Sequence, residues 1–130
     1  GAVLYSKIRP YLRKAATVDF EGVCSADMYP LRVETEILSR DFLKWTLLSH
    51  PFTEYASELS GRARMPKLNR KQIFAYPLQV PDLAKQHRIV AYLDEVQAHA
   101  AELQHTAEAV AADLDRLEQS ILAEAFRGTL

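Results

Sequence analysis

Residues 60–73, SGRARMPKLNRKQI, hold Arg62, Arg64, Lys67, Arg70 and Lys71 with no acid among them, the strongest charge bias in the chain. Asn69 with Gln72 three residues on has the pattern of a capping box that opens a short helix at about 70–75. A basic loop running into a helix N-terminus brings cationic side chains and unpaired backbone N–H groups to one spot, and phosphate satisfies both. A second group of cations lies upstream. A strand over residues 2–9 would put Val3, Tyr5, Lys7 and Arg9 on one face and Leu4, Ser6 and Ile8 on the other, with Arg13 and Lys14 following. A surface carrying Tyr5, Lys7 and Arg9 could lie against a polyanion. Each group also has a plainer reading, a solvated loop in one case and a charge-protected edge strand in the other. Taken together they signal nucleic acid.

The remaining reactive side chains do not assemble into a catalytic pattern. Cys24 has no histidine at a spacing that would supply a base, so it is expected to be a small buried hydrophobe. His87, His99 and His105 contain no i, i+3 or i, i+4 pair and read as surface residues, with no metal set. No glycine-rich phosphate loop, His-Glu-x-x-His helix or Gly-x-Ser-x-Gly elbow occurs. The Asp/Asn-Pro-Pro-Tyr/Phe signature of adenine methyltransferases is absent, as is a carboxylate-plus-lysine nuclease motif. Catalysis by this chain alone is not expected.

The elements that must position these residues fall into two parts. At 130 residues the chain suits one compact domain, or a smaller one with a long appended element. Residues 1–81 carry 12 basic and 8 acidic side chains, and residues 82–130 carry 4 and 9, so a net charge of −1 hides halves of +4 and −5. The composition, 48% hydrophobic and 25% charged, is that of a folded soluble protein. No apolar run is long enough to span a bilayer, and no secretory leader is apparent. One cysteine excludes an internal disulfide and suits a cytoplasmic setting. Gly1 where a Met would stand suggests a piece of a longer protein.

In the first part, strands are expected at 2–9, 16–20 and 23–33, the last interrupted by Pro30. Ser39 reads as the N-cap of a helix carrying Phe42, Leu43, Trp45, Leu47 and Leu48. Pro51 suits the first position of a second helix, where Phe52, Tyr55, Ala56 and Leu59 keep core spacing and Ser60-Gly61 ends it. Residues 76–81 alternate as an edge strand.

The second part reads as one helix from about Asp82 to Arg127, since its 46 residues contain 11 alanines and no Gly or Pro. Ile89, Leu93, Val96, Ala100, Leu103, Ala107, Val110, Leu114, Leu117 and Ile121 step by four and three without a miss, a coiled-coil seam. Positions flanking it are nearly free of pairable charge, and Ala100 and Ala107 bracket its midpoint. The expected partner is an antiparallel helix, from a second copy or from the rest of a parent chain. The fold class is therefore α+β: a small mixed α/β domain at 1–81, then one long coiled-coil helix at 82–130.

Several stretches together resemble the DNA-specificity subunit of type I restriction–modification systems. They are LYSKIRPYLRKA at 4–15, FLKWTLLSHPFTEYASELSGRARMPKLNRKQI at 42–73, PLQVPDLAKQHRIVAYLDEV at 77–96 and SILAEAFRGTL at 120–130. The resemblance implies two target-recognition domains in a full member, each followed by a long helix, with the helices antiparallel. Each domain reads half of a split site on double-stranded DNA, and the helices space the halves and dock methyltransferase subunits. It implies no catalysis by this subunit. S-adenosylmethionine is expected on the methyltransferase partner, and ATP with Mg on a restriction motor subunit. This chain resembles part of one recognition domain plus its helix, in the second half of the subunit. Lys85 departs from the usual Glu and should loosen the helix start slightly.

Phosphate contacts are accordingly expected from Lys7, Arg9, Arg13, Arg62, Arg64 and Lys67, with Asn69 near the backbone or a base. Two other readings stay open: a coiled-coil assembly module whose α/β head binds protein, and a fragment of a fused restriction enzyme.

Overall fold

The computed structural model describes residues 1–61 and 64–129. The fold is α+β. A three-stranded antiparallel sheet has order β2-β1-β3, from β1 (Ala2–Ser6), β2 (Ala15–Val18) and β3 (Met28–Leu31). Tyr5 stands opposite Ala15 on one side and Tyr29 on the other. A 3-10 turn, Pro10–Leu12, joins β1 to β2. Four helices follow: α1 (Arg40–Leu48), α2 (His50–Ser60), α3 (Arg70–Phe74) and α4 (Leu83–Arg127).

The sheet buries the face opposite to the one a charged surface strand would require. Val3 and Tyr5 are fully buried and join Leu47, Phe52, Ala56, Leu68 and Ile73 in the core. Two alternating apolar residues can be claimed by either face, and here the aromatic one wins because α2 supplies a partner. The Phe52 ring meets Tyr5 edge-on at 5.5 Å and Tyr76 edge-on at 5.0 Å. Tyr5 therefore belongs to the core and not to a basic surface. Its burial raises the phenol pKa from 10.0 to about 12.

Helix starts follow local chemistry. Ser39, Ser49 and Asn69 each accept a backbone N–H of the first turn they cap. Ser49 caps α2, so Pro51 sits at the second helical position, one later than its sequence suggests. Gly61 ends α2 at φ 75°, in the left-handed region that favours glycine. Asp82 caps α4 through the Lys85 N–H at 2.9 Å, so Lys85 at the helix start is held.

Three other expectations fail. Cys24 is exposed, because residues 23–27 form no strand that could turn it inward. The third strand covers only Met28–Leu31. Residues 76–81 form no strand, for the prolines at 77 and 81 lack the N–H groups that pairing needs.

The chain divides into two compact units, Gly1–Ala91 and Tyr92–Leu130. The first turns of α4 therefore belong to the first unit, and Gln86 fixes them there. Its side chain is fully buried, accepts the Ser39 N–H at 2.7 Å, and donates to the carbonyls of Ile37 (2.9 Å) and Pro81 (2.7 Å). In the second unit α4 is continuous to Arg127, and Val96, Leu103, Val110, Leu114, Leu117 and Ile121 are exposed along it. Ala100 and Ala107 are exposed too, while Ile89 and Leu93 near the junction are half-buried. Among the described residues no helix is long and apolar enough to cross a membrane.

Candidate nucleic-acid interface

The two groups of cations, some sixty residues apart in sequence, meet through backbone hydrogen bonds. Past the end of β1 the Arg9 N–H donates to the Pro66 carbonyl at 2.9 Å, and the Leu68 N–H donates to the Lys7 carbonyl at 2.9 Å. Ile8 and Lys67 thus form an isolated antiparallel bridge. The strap at 66–68 is anchored beneath by Pro66 and Leu68, both buried. Lys7, Arg9 and Lys67 therefore issue from neighbouring, immobilised backbone.

The turn after Arg9 adds a third contributor. Arg9 and Arg13 flank the 3-10 turn with φ of 49° and 47°, both left-handed. The Leu12 N–H reaches the Arg9 carbonyl at 2.9 Å and the Arg13 N–H reaches that of Pro10 at 3.0 Å. Arg9, Arg13 and Lys14 are exposed, and Lys7 is half-buried with its ammonium 5.0 Å from the Tyr29 ring centre.

Downstream, the capping box is formed in full. The Gln72 N–H donates to Asn69 Oδ1 and the Asn69 N–H to Gln72 Oε1, each at 2.9 Å. Asn69 Oδ1 thus serves the helix, which leaves its amide N–H groups for any outside partner. Gln72 also donates to the Leu59 carbonyl at 3.2 Å, and the Tyr55 hydroxyl donates to the Gln72 carbonyl at 2.7 Å, so α3 is tied to α2. Arg64 is exposed; Arg62 lies outside the described residues. Arg70 and Lys71 are exposed on α3, and the Arg70 guanidinium stands 5.5 Å from the Phe74 ring centre.

One feature had no signal in the sequence. Asp27 Oδ1 lies 3.3 Å from Lys67 Nζ, placing an acid inside the cationic group, because the backbone of Asp27 accepts from the Lys7 N–H at 3.0 Å. No local pattern marks a contact between residues 40 apart. Asp19 is held below the ordinary carboxylate range chiefly by its hydrogen bond from Arg40. Among the described residues no group of three His, Cys, Asp or Glu side chains is placed to hold a metal.

A rigid scaffold that exposes arginines and lysines from a strand end, a tight turn, a strap and a short helix can bind phosphates at fixed spacing. This α+β head, with a long helix following it in sequence, defines a DNA-specificity domain: residues 2–111 match the family model of the type I restriction modification DNA specificity domain, and the chain belongs to that family. It is 41% identical over 132 residues to the type I restriction enzyme EcoDI specificity subunit of Escherichia coli. The match covers all of this chain and 29% of that protein, so the chain spans under a third of its relative's length.

Proposed function

We propose that this chain is the DNA-contacting portion of a type I specificity subunit, which recognises one part of a split target and does no chemistry itself. Partner methyltransferase subunits, with S-adenosylmethionine, and a restriction motor subunit, with ATP and Mg, carry out modification and cleavage in the cytoplasm. The observation that supports this reading, beside family membership, is the bridge Ile8↔Lys67, which sets the backbones of two distant basic stretches side by side. Lys7, Arg9, Arg13, Arg62, Arg64 and Lys67 are assigned to phosphate, and Asn69 to the backbone or a base edge. Residues 1–81 form the recognition part and 82–130 the helix, whose seam takes an antiparallel helix from a second copy or the rest of the parent chain.

The test is fluorescence anisotropy with a random duplex across a salt series. Binding should weaken with a log–log slope of roughly −0.9 per phosphate contacted. Charge reversal at Arg62 and Arg64 that leaves affinity and slope unchanged would remove that loop from the interface. Absence of binding at low salt would favour the second reading, an assembly module with a protein-binding head, for which the exposed apolar residues of α4 speak.

A further inference from the structure

The tip between β1 and β2 has two shoulders, and both are arginines in left-handed backbone. Arg9 and Arg13, at φ 49° and 47°, are the positive-φ residues other than glycine among those described. In that region a Cβ crowds the neighbouring carbonyl, and glycine or asparagine is the usual occupant. Such conformations persist where the surroundings over-determine them, and they concentrate at binding segments. Here the surroundings are explicit. Arg9 is bonded to Pro66, the turn closes on itself through Leu12 and Arg13, Pro10 is buried, and the turn packs against α2.

This fixed tip holds two apolar side chains away from the core. Tyr11 is 55% exposed and Leu12 48%. Lys7 and Arg9 precede them, Arg13 and Lys14 follow, and no acid occurs before Asp19. Cations on both sides of an exposed apolar pair match the construction of an intercalating wedge. The cations grip backbone phosphates while the apolar groups part a base step. A tip three residues across suits the minor groove, about 6 Å wide, whereas the major groove, about 12 Å, accepts a whole ribbon or helix.

We infer that Tyr11 and Leu12 enter the minor groove as a wedge and unstack one base step, a role that rests on the DNA-binding reading above. The wedge makes no base-specific hydrogen bond. It favours easily unstacked pyrimidine–purine steps and is otherwise indifferent to sequence.

The experiment uses the full chain and an end-labelled duplex containing several TA steps, with 2-aminopurine at their adenines. Anisotropy reports binding, and 2-aminopurine emission reports unstacking. At saturation the emission should rise. The double variant Tyr11→Ser/Leu12→Ser should bind with the same salt slope and lose the rise, and Tyr11→Phe should keep it. Both residues are about half exposed, so urea unfolding of each variant accompanies the assay, and Tyr11→Ser and Leu12→Ser singly should each lower the rise in a head that stays folded. Binding without a rise, or a rise that survives the double variant, overturns the wedge and leaves DNA binding intact. Failure of the parent chain to bind at low salt overturns the DNA reading, and the wedge with it.

Discussion

Replacing Gln86 by leucine should be among the most damaging single changes available to the head. The side chain is inaccessible to solvent and satisfies three backbone groups at once: the Ser39 N–H at 2.7 Å and the carbonyls of Ile37 and Pro81 at 2.9 and 2.7 Å. Leucine fills a similar volume but offers none of these bonds. Each buried group left unpaired costs about 1–3 kcal/mol, and the added apolar burial recovers about a third of the total, for a net loss of roughly 4 kcal/mol. Against a total stability of about 5–15 kcal/mol, that loss brings the head close to its threshold. Urea unfolding followed by Trp45 fluorescence reads the effect, since Trp45 lies on α1, which starts at the residue after Ser39. With a slope of about 1–3 kcal/mol per molar, the midpoint should fall by roughly 2 M. Asp82→Ala is the companion change. It removes only the cap on the Lys85 N–H and should cost about 1 kcal/mol. A Gln86→Leu midpoint within a few tenths molar of the parent would refute the claim that this side chain fastens the start of α4 to the head.

Tyr5 predicts an alkaline transition. Its folded pKa, about 12, exceeds the ordinary 10.0 because burial disfavours the phenolate. The stabilisation is therefore complete below pH 10 and is lost as pH rises through about 12, up to about 3 kcal/mol in all; Tyr5→Phe should flatten stability against pH in that window. Asp27→Asn should free Lys67 from its 3.3 Å ion pair, tighten binding to a random duplex and steepen the salt slope by up to about 0.9. An unaltered slope would argue against Lys67 as a phosphate contact. On α4, light scattering at high concentration should give a mass above the 14.7 kDa of one chain, and Leu103→Glu with Val110→Glu should restore the monomer. A monomeric result would assign the seam to a helix from the rest of the parent chain.

Local chemistry is what the sequence expressed well. Ser39 and Asn69 as caps, Gly61 as a stop and the uninterrupted helix to Arg127 were all readable, because each depends on residues within one turn. The errors share a cause. Val3 and Tyr5 alternate in a way that tells which residues share a face but not which face meets α2. Cys24 is small and apolar by type, yet its exposure depends on a loop whose path is tertiary. Residues 76–81 alternate like a strand, but no partner offers them a ladder.

The same division governs the candidate interface. The basic residues were visible as composition, and composition alone cannot separate a solvated loop from a binding surface. What the structure adds is two backbone hydrogen bonds, Arg9 to Pro66 and Leu68 to Lys7, which set the two basic stretches side by side and are made by groups that every sequence possesses and that leave no trace in side-chain pattern. Pro66 contributes its carbonyl while lacking an N–H of its own, and Leu68 is fully buried, so backbone bonds and apolar burial hold the strap. Lys67, between them, consequently projects outward, where Asp27 meets it. An acid at that point weakens non-specific attraction to any polyanion while leaving the scaffold untouched. For a DNA-specificity domain that matters, because unselective affinity lowers the ratio of specific to non-specific binding on which selection rests.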